Sequence, residues 1–182
     1  MRPVSKTVAG SARRAAAVMI RPAEPADFEA VGRLTVAAYR ADGQLNEATG
    51  DYAENLANVA GRASQGTTLV AVDAAGDIVG GVLFALPGSS YAQLARPGEA
   101  EFRMLAVSPS AQGQGVGAAL VGACRDLAVR VGASAIIIST RDFAQVPQRL
   151  YARLGFVRVP ERDWSMQPGV NLLALRLDLT SP

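Results

Sequence analysis

The 182-residue chain has no histidine, one cysteine and one lysine. Without histidine there can be no Ser-His-Asp or Cys-His nucleophile pair and no imidazole-ligated metal, so metal chemistry is not expected. The lone thiol, Cys124, cannot close an internal disulfide, which suits a reducing compartment. Between Ala123 and the helical position Leu127 it reads as a small core residue. Lys6 stands near the start of the chain, which removes the GKS/GKT phosphate loop. Long apolar runs are missing too. No stretch approaches the roughly 20 residues of a membrane span. Residues 15–20 are apolar but stop at Arg21-Pro22, short of the roughly 7 to 15 residues of a secretory core. A cytoplasmic protein with no membrane partner is expected.

What charge there is lies unevenly. Arg2, Lys6, Arg13 and Arg14 fall within the first 18 residues with no acid among them, whereas the remainder holds 14 basic and 16 acidic residues. A nucleic-acid partner would need its basic surplus on a folded face, so none is expected. Residues 1–18 read as a disordered basic extension, with Met19 a candidate biological start, and residues 19–182 as a single domain. At 49% hydrophobic and 19% charged residues, the chain has the balance of an ordinary globular protein, which excludes a disordered one.

Periodicity divides the domain. Residues 18–20 form a short apolar segment, and Phe28, Val31, Leu34, Thr35 and Ala38 predict a helix over about 25–39. A second helix is expected over about 51–64. Residues 67–72 and 78–86, joined by a turn through Gly76, predict an antiparallel hairpin. A strand over about 100–107 is stopped by Ser108-Pro109. Val116, Leu120, Ala123, Leu127 and Val131 then predict a helix over about 115–131. Ala135-Ile136-Ile137-Ile138, apolar on both faces, reads as a central strand. Pro147 opens a short helix that ends before Gly155. Residues 156–159 and 171–179 complete a three-layer mixed-sheet α/β domain.

The most informative segment is Ser108-Pro109-Ser110-Ala111-Gln112-Gly113-Gln114-Gly115-Val116-Gly117-Ala118, between a strand and a strong helix. Glycines at alternate positions bare the backbone, and the free N–H groups of a helix start attract phosphate oxygens. Two phosphate-binding readings compete with a plain turn. Gly113-x-Gly115-x-x-Ala118 fits a loose dinucleotide fingerprint, with Asp142 available for a ribose hydroxyl. Five residues separate Val107 from Gly113, however, where a dinucleotide glycine follows its strand at once. Gln112-x-x-Gly115-x-Gly117 is the alternative, a pyrophosphate loop set further from the strand.

Leu105-Ala106-Val107-Ser108-Pro109, then Gln112-Gly113-Gln114-Gly115-Val116-Gly117, then Leu150-Tyr151-Ala152-Arg153-Leu154-Gly155-Phe156 together resemble the GNAT superfamily of N-acetyltransferases. The resemblance covers roughly residues 19–180 and is most specific over 99–156. It implies a GNAT-like fold, a mostly antiparallel mixed sheet with a splayed parallel strand pair and helices on both faces. It also implies acetyl-CoA as co-substrate and an amine-bearing small molecule or peptide as acceptor, and it leaves a homodimer open. Leu105, Ala106 and Val107 would pair with pantetheine, the amides of Gln112, Gly113, Gln114, Gly115, Val116, Gly117 and Ala118 would hold the pyrophosphate, and Thr140 would border the cleft. Many members carry an asparagine where this chain has Ala144, so one contact to the cofactor is missing.

Acetyl transfer to an alkyl amine requires a base, because the amine is protonated at neutral pH. Glu101 is a candidate, expected to share one strand face with Arg103, Leu105 and Val107. The structural alternative is an ion pair with Arg103, and Glu99 or a water is the reserve base. Departure of the thiolate is helped by an acid, for which Tyr151 is the candidate. Trp164 is expected either to wall the acceptor pocket or to pack on the surface, and loops 42–50 and 88–98 are expected to supply other walls. An NADP-linked oxidoreductase and a silent acyl-CoA-binding module are the alternative functions.

Overall fold

The computed structural model describes residues 17–179, so most of the expected disordered extension lies outside the described residues. Eight strands form one sheet in the order β1 (Met19–Pro22), β2 (Thr67–Val72), β3 (Ile78–Ala85), β4 (Glu99–Val107), β5 (Ala135–Arg141), β8 (Val170–Asp178) and β6 (Val157–Arg158), with β7 (Trp164–Gln167) also on β8. All neighbours are antiparallel except β4 and β5. That parallel pair is short: Glu99, Ala100 and Glu101 face Ala135, Ile136 and Ile137, and beyond them the strands part. The mixed sheet with a splayed parallel pair is thus present.

Helices cover both faces. One carries α4 (Val116–Arg130) and α5 (Gln145–Arg153), whose Val116, Leu120, Val121, Cys124 and Tyr151 join Phe102, Ile136, Ile138 and Phe156 in the main apolar core. The other carries α1 (Phe28–Ala41), α2 (Tyr52–Ala57) and α3 (Val59–Ala63), with a smaller core of Val31, Val59, Val70 and Val72. Ile136, Ile137 and Ile138 are buried on a strand covered from both sides, as the unbroken apolar run requires.

Three local expectations are corrected. The helix over 51–64 is two, because Asn58 leaves helical geometry (ψ 72°) and its side chain caps the second by accepting from the Gly61 amide at 2.9 Å. Pro147 is the third residue of α5 rather than the first. Glu101, Arg103, Leu105 and Val107 do not share a face. The β3–β4 register skips between Gly81 and Leu83, setting Met104 and Leu105 of β4 against Val82 alone. Met104 takes up the extra residue at φ 56°, a left-handed conformation that costs a non-glycine residue strain. Past this bulge, Leu105 and Val107 pack with Phe102 beneath α4. Arg103 and Met104 turn toward the α1–α3 layer, where Arg103 meets Tyr52 and the Met104 sulfur accepts from Arg62.

Candidate active site

Where β4 and β5 part, a cavity of about 570 Å³ opens, within the usual range for small-ligand sites. One arm runs along Leu105, Ala106 and Val107 to Gln112, Gly113, Gly115, Val116, Gly117 and Ala118, with Thr140 on the opposite strand. The sequence-predicted residues are therefore together, with two exceptions. Gln114 does not line the cavity, its side chain donating instead to the Ser110 carbonyl at 2.9 Å. Glu101 does not line it either.

The loop is shaped by glycine where the chain demands it. Gly115, the residue before α4, sits at φ 87° and offers no side-chain acceptor to the first turn of the helix. The amides of that turn thus keep their capacity for a ligand's oxygens, at the positive end of the helix dipole. A Cβ on Gly113 would meet no protein atom within 4 Å, so the groove beside it is open. An unpaired strand edge, free helix-start amides and an open groove between them fit an extended cofactor that carries a pyrophosphate.

Tyr151 lines the cavity from α5, 5% exposed, its ring 5.9 Å from Phe102 and 5.7 Å from Phe156. Burial raises its phenol above the ordinary value, so it stays protonated at any physiological pH. Cys124 lies in the core, its thiol pushed up to about 12 by burial.

Glu101 is fully buried behind the cavity wall. One oxygen accepts from the amides of Leu94 and Ala95 at 2.7 and 2.9 Å, and the other stands 3.9 Å from Arg103 Nε without a hydrogen bond. Desolvation raises its pKa against these amides and the Arg103 charge. Glu99 is engaged elsewhere, gripped by Arg162 at 2.9 Å and Arg176 at 3.3 Å. Burial pushes its carboxyl up, but Arg162, the Arg96 amide and Arg176 outweigh that and hold it below its usual value.

The second arm opens toward α1 and α2 and holds Asp42, Gln44 and Thr49 of loop 42–50, Arg103, expected only as a partner for Glu101, and Tyr39, Tyr52 and Arg141, to which sequence reasoning gave no role. The rings of Tyr39 and Tyr52 meet at a tilt of 57°, their centroids 6.3 Å apart. Asp42 is the carboxylate among the lining residues. From β7 it is Met166, not Trp164, that reaches this wall. Loop 42–50 supplies wall residues as expected, whereas loop 88–98 acts from behind through its amides on Glu101 and the Tyr91 carbonyl on Arg103.

Comparisons with known proteins agree with this geometry. The model of the acetyltransferase (GNAT) family matches residues 31–156. No curated protein matches the chain. Among solved structures, YncA of Salmonella typhimurium, with its cofactor acetyl-CoA, superposes with a TM-score of 0.65 at 24% identity, over 91% of this chain and 95% of that one. A GNAT family acetyltransferase of Brucella melitensis in complex with acetyl-CoA gives 0.59 at 22%, over 91% and 90%. A GCN5-related N-acetyltransferase of Kribbella flavida gives 0.62 at 25%, over 88% and 97%.

Proposed function

The chain belongs to the GNAT acetyltransferase family, and from that premise we propose that it moves an acetyl group from acetyl-CoA to a primary amine by direct attack within a ternary complex. The observation that carries this reading is the parting of β4 and β5 beyond Glu101 and Ile137, with the free amides of α4 at one end of the cavity and Tyr151 on its wall. Acetyl-CoA supplies the acetyl group as an activated thioester. The β4 edge at Leu105, Ala106 and Val107 would receive an extended amide chain as it would a further strand. The amides of Gln112 to Ala118 would take the pyrophosphate oxygens.

The reaction then needs three proton movements, because the ammonium must first lose a proton to free its lone pair. The amine nitrogen bonds to the acetyl carbon as the carbon–sulfur bond breaks, and the nitrogen sheds a proton. Tyr151, kept protonated by burial, gives its proton to the departing thiolate, whose reference pKa is near 8.5, and is restored from solvent. Glu101, shut behind the wall and spent on two amides, is assigned the positioning of Arg103 and of loop 88–98. Both of the nitrogen's protons, the one lost before attack and the one lost after it, leave through cavity water, past Asp42.

Thiol release from acetyl-CoA in the presence of a panel of primary amines tests the proposal, with thermal shift alongside. A ligand at 100 times its dissociation constant adds about 2.7 kcal/mol of stability. Stabilisation by CoA and amine-dependent thiol release are expected. Stabilisation by NADPH and none by CoA would overturn the reading in favour of an oxidoreductase, and CoA binding without release across the panel would leave a silent acyl-CoA-binding module.

A further inference from the structure

Arg141, at the end of β5, is 7% exposed and lines the second arm of the cavity. None of the ion pairs among the described residues includes it. Its Nε is buried without a hydrogen-bond partner. Its Nη1 reaches the Gln44 carbonyl at 3.5 Å, the outer limit of a hydrogen bond. The Phe143 ring, its centroid 4.8 Å from the guanidinium carbon, braces the group from one side. Buried cations are ordinarily paired, because desolvation of a lone charge is strongly unfavourable.

The other buried cations near this arm are accounted for. Arg62, which does not line the cavity, donates to the Leu56 carbonyl at 2.6 Å, and to Thr35 Oγ1 and the Met104 sulfur at 3.4 Å, and so cross-links α1, α2, α3 and β4. Arg103 donates to the Tyr91 carbonyl at 3.0 Å and has the Glu101 carboxylate behind it. Asp42, the carboxylate of the arm, is exposed and makes no ion pair with Arg141. Arg141 is thus a preorganised cation facing an open chamber, with no carboxylate paired to it among the described residues.

We propose that Arg141 docks a carboxylate of the acceptor, so that the substrate is a small amine that also carries a carboxylate, amino acids being the simplest class. The guanidinium presents donors in a planar fork that matches a carboxylate, and such charge-assisted pairs are the strong ones. Docking there would hold the amine by its far end while Tyr39 and Tyr52 flank the chamber. The inference rests on the acetyl-transfer reading for its choice of acceptor, but the anion site can be read without turnover.

Two measurements keep the two apart. In the first, N-acetyl amino acids and the matching N-acetyl amino acid amides are titrated into the CoA-loaded protein. The acids should bind at least about tenfold tighter than the amides, and Arg141→Gln should abolish the difference while CoA still raises Tm. Arg141→Lys, which keeps the charge and loses the fork, should fall between them, and it serves if the Gln variant fails to respond to CoA. In the second, thiol release is compared between amino acids and their amides. KM for the acids should rise at least about tenfold in Arg141→Gln with kcat little changed. Equal binding of acids and amides by the wild type, or equal losses on both in the variant, would overturn the inference. Arg141-dependent binding of acids with no thiol release from any amine would overturn the transfer reading and leave the anion site standing.

Discussion

Tyr151 and Glu101 separate the chemistry of the site from its scaffolding. Tyr151→Phe removes one hydroxyl from a ring packed against Phe102 and Phe156. CoA affinity should persist while turnover falls about 10²-fold, read from steady-state kinetics beside a CoA titration. Glu101 calls for a different pair of variants. A carboxyl whose folded pKa is raised above its unfolded value contributes stability that is full below the unfolded carboxylate range and lost as pH rises through the folded pKa. Glu101→Gln keeps an acceptor for the Leu94 and Ala95 amides without the charge. It should therefore weaken the fold little near neutrality, flatten that pH dependence in denaturant titrations, and leave the shape of the pH–rate profile unchanged. Glu101→Ala strands both amides and should cost about 1–3 kcal/mol. A loss of activity in Glu101→Gln that shrinks as pH approaches the amine's own pKa would instead return the base role to it. At this scale the sequence marked residues whose chemistry is intrinsic, the glycine loop and the tyrosine. It could not mark Arg141 or show that Glu101 lies behind the wall, because both facts depend on which loop closes over which strand.

Elements were legible in proportion to how local their causes are. The hairpin of β2 and β3 and the amphipathic α4 follow from period and turn residues alone. The break at Asn58 is a one-residue choice between continuing a helix and capping a new one, and composition does not distinguish them. β7 spans Trp164–Gln167 and exists because β8 offers an edge to it, a non-local cause. The Met104 bulge was equally hidden, since a methionine at positive φ is held there by the register of β3 and β4 rather than by its own preference. The packing of the α1–α3 layer can be tested through Gly32. A Cβ there would stand 2.7 Å from the Ala57 carbonyl oxygen and 3.3 Å from the Ala57 Cα, both backbone atoms with little room to yield. Gly32→Ala should cost about 1–3 kcal/mol, seen as a lower midpoint in denaturant with an unchanged slope. At the head of α4, Gly115→Val should lose CoA binding, because the Cβ enters the pyrophosphate path and the position holds φ 87°. Unchanged CoA affinity in a folded variant would place the pyrophosphate elsewhere.

On the scale of the whole molecule, the sheet is two half-sheets, β1 to β4 and β5 to β8, stitched along one seam by three facing residue pairs. Past that seam, the backbone groups of β4 from Phe102 onward have no strand opposite them on the β5 side. The two halves share the core beneath α4, but along the gap no ladder joins their backbones. Occupancy by CoA should therefore register on both sides of the gap. Backbone amides on both banks, around Leu105 to Val107 and Ser139 to Arg141, should exchange hydrogen for deuterium more slowly in the liganded protein, while the β2–β3 hairpin keeps its unliganded rates. The gap that admits the ligand is also the break in the ladder, so CoA lying along it would bridge two banks of the sheet that no strand joins.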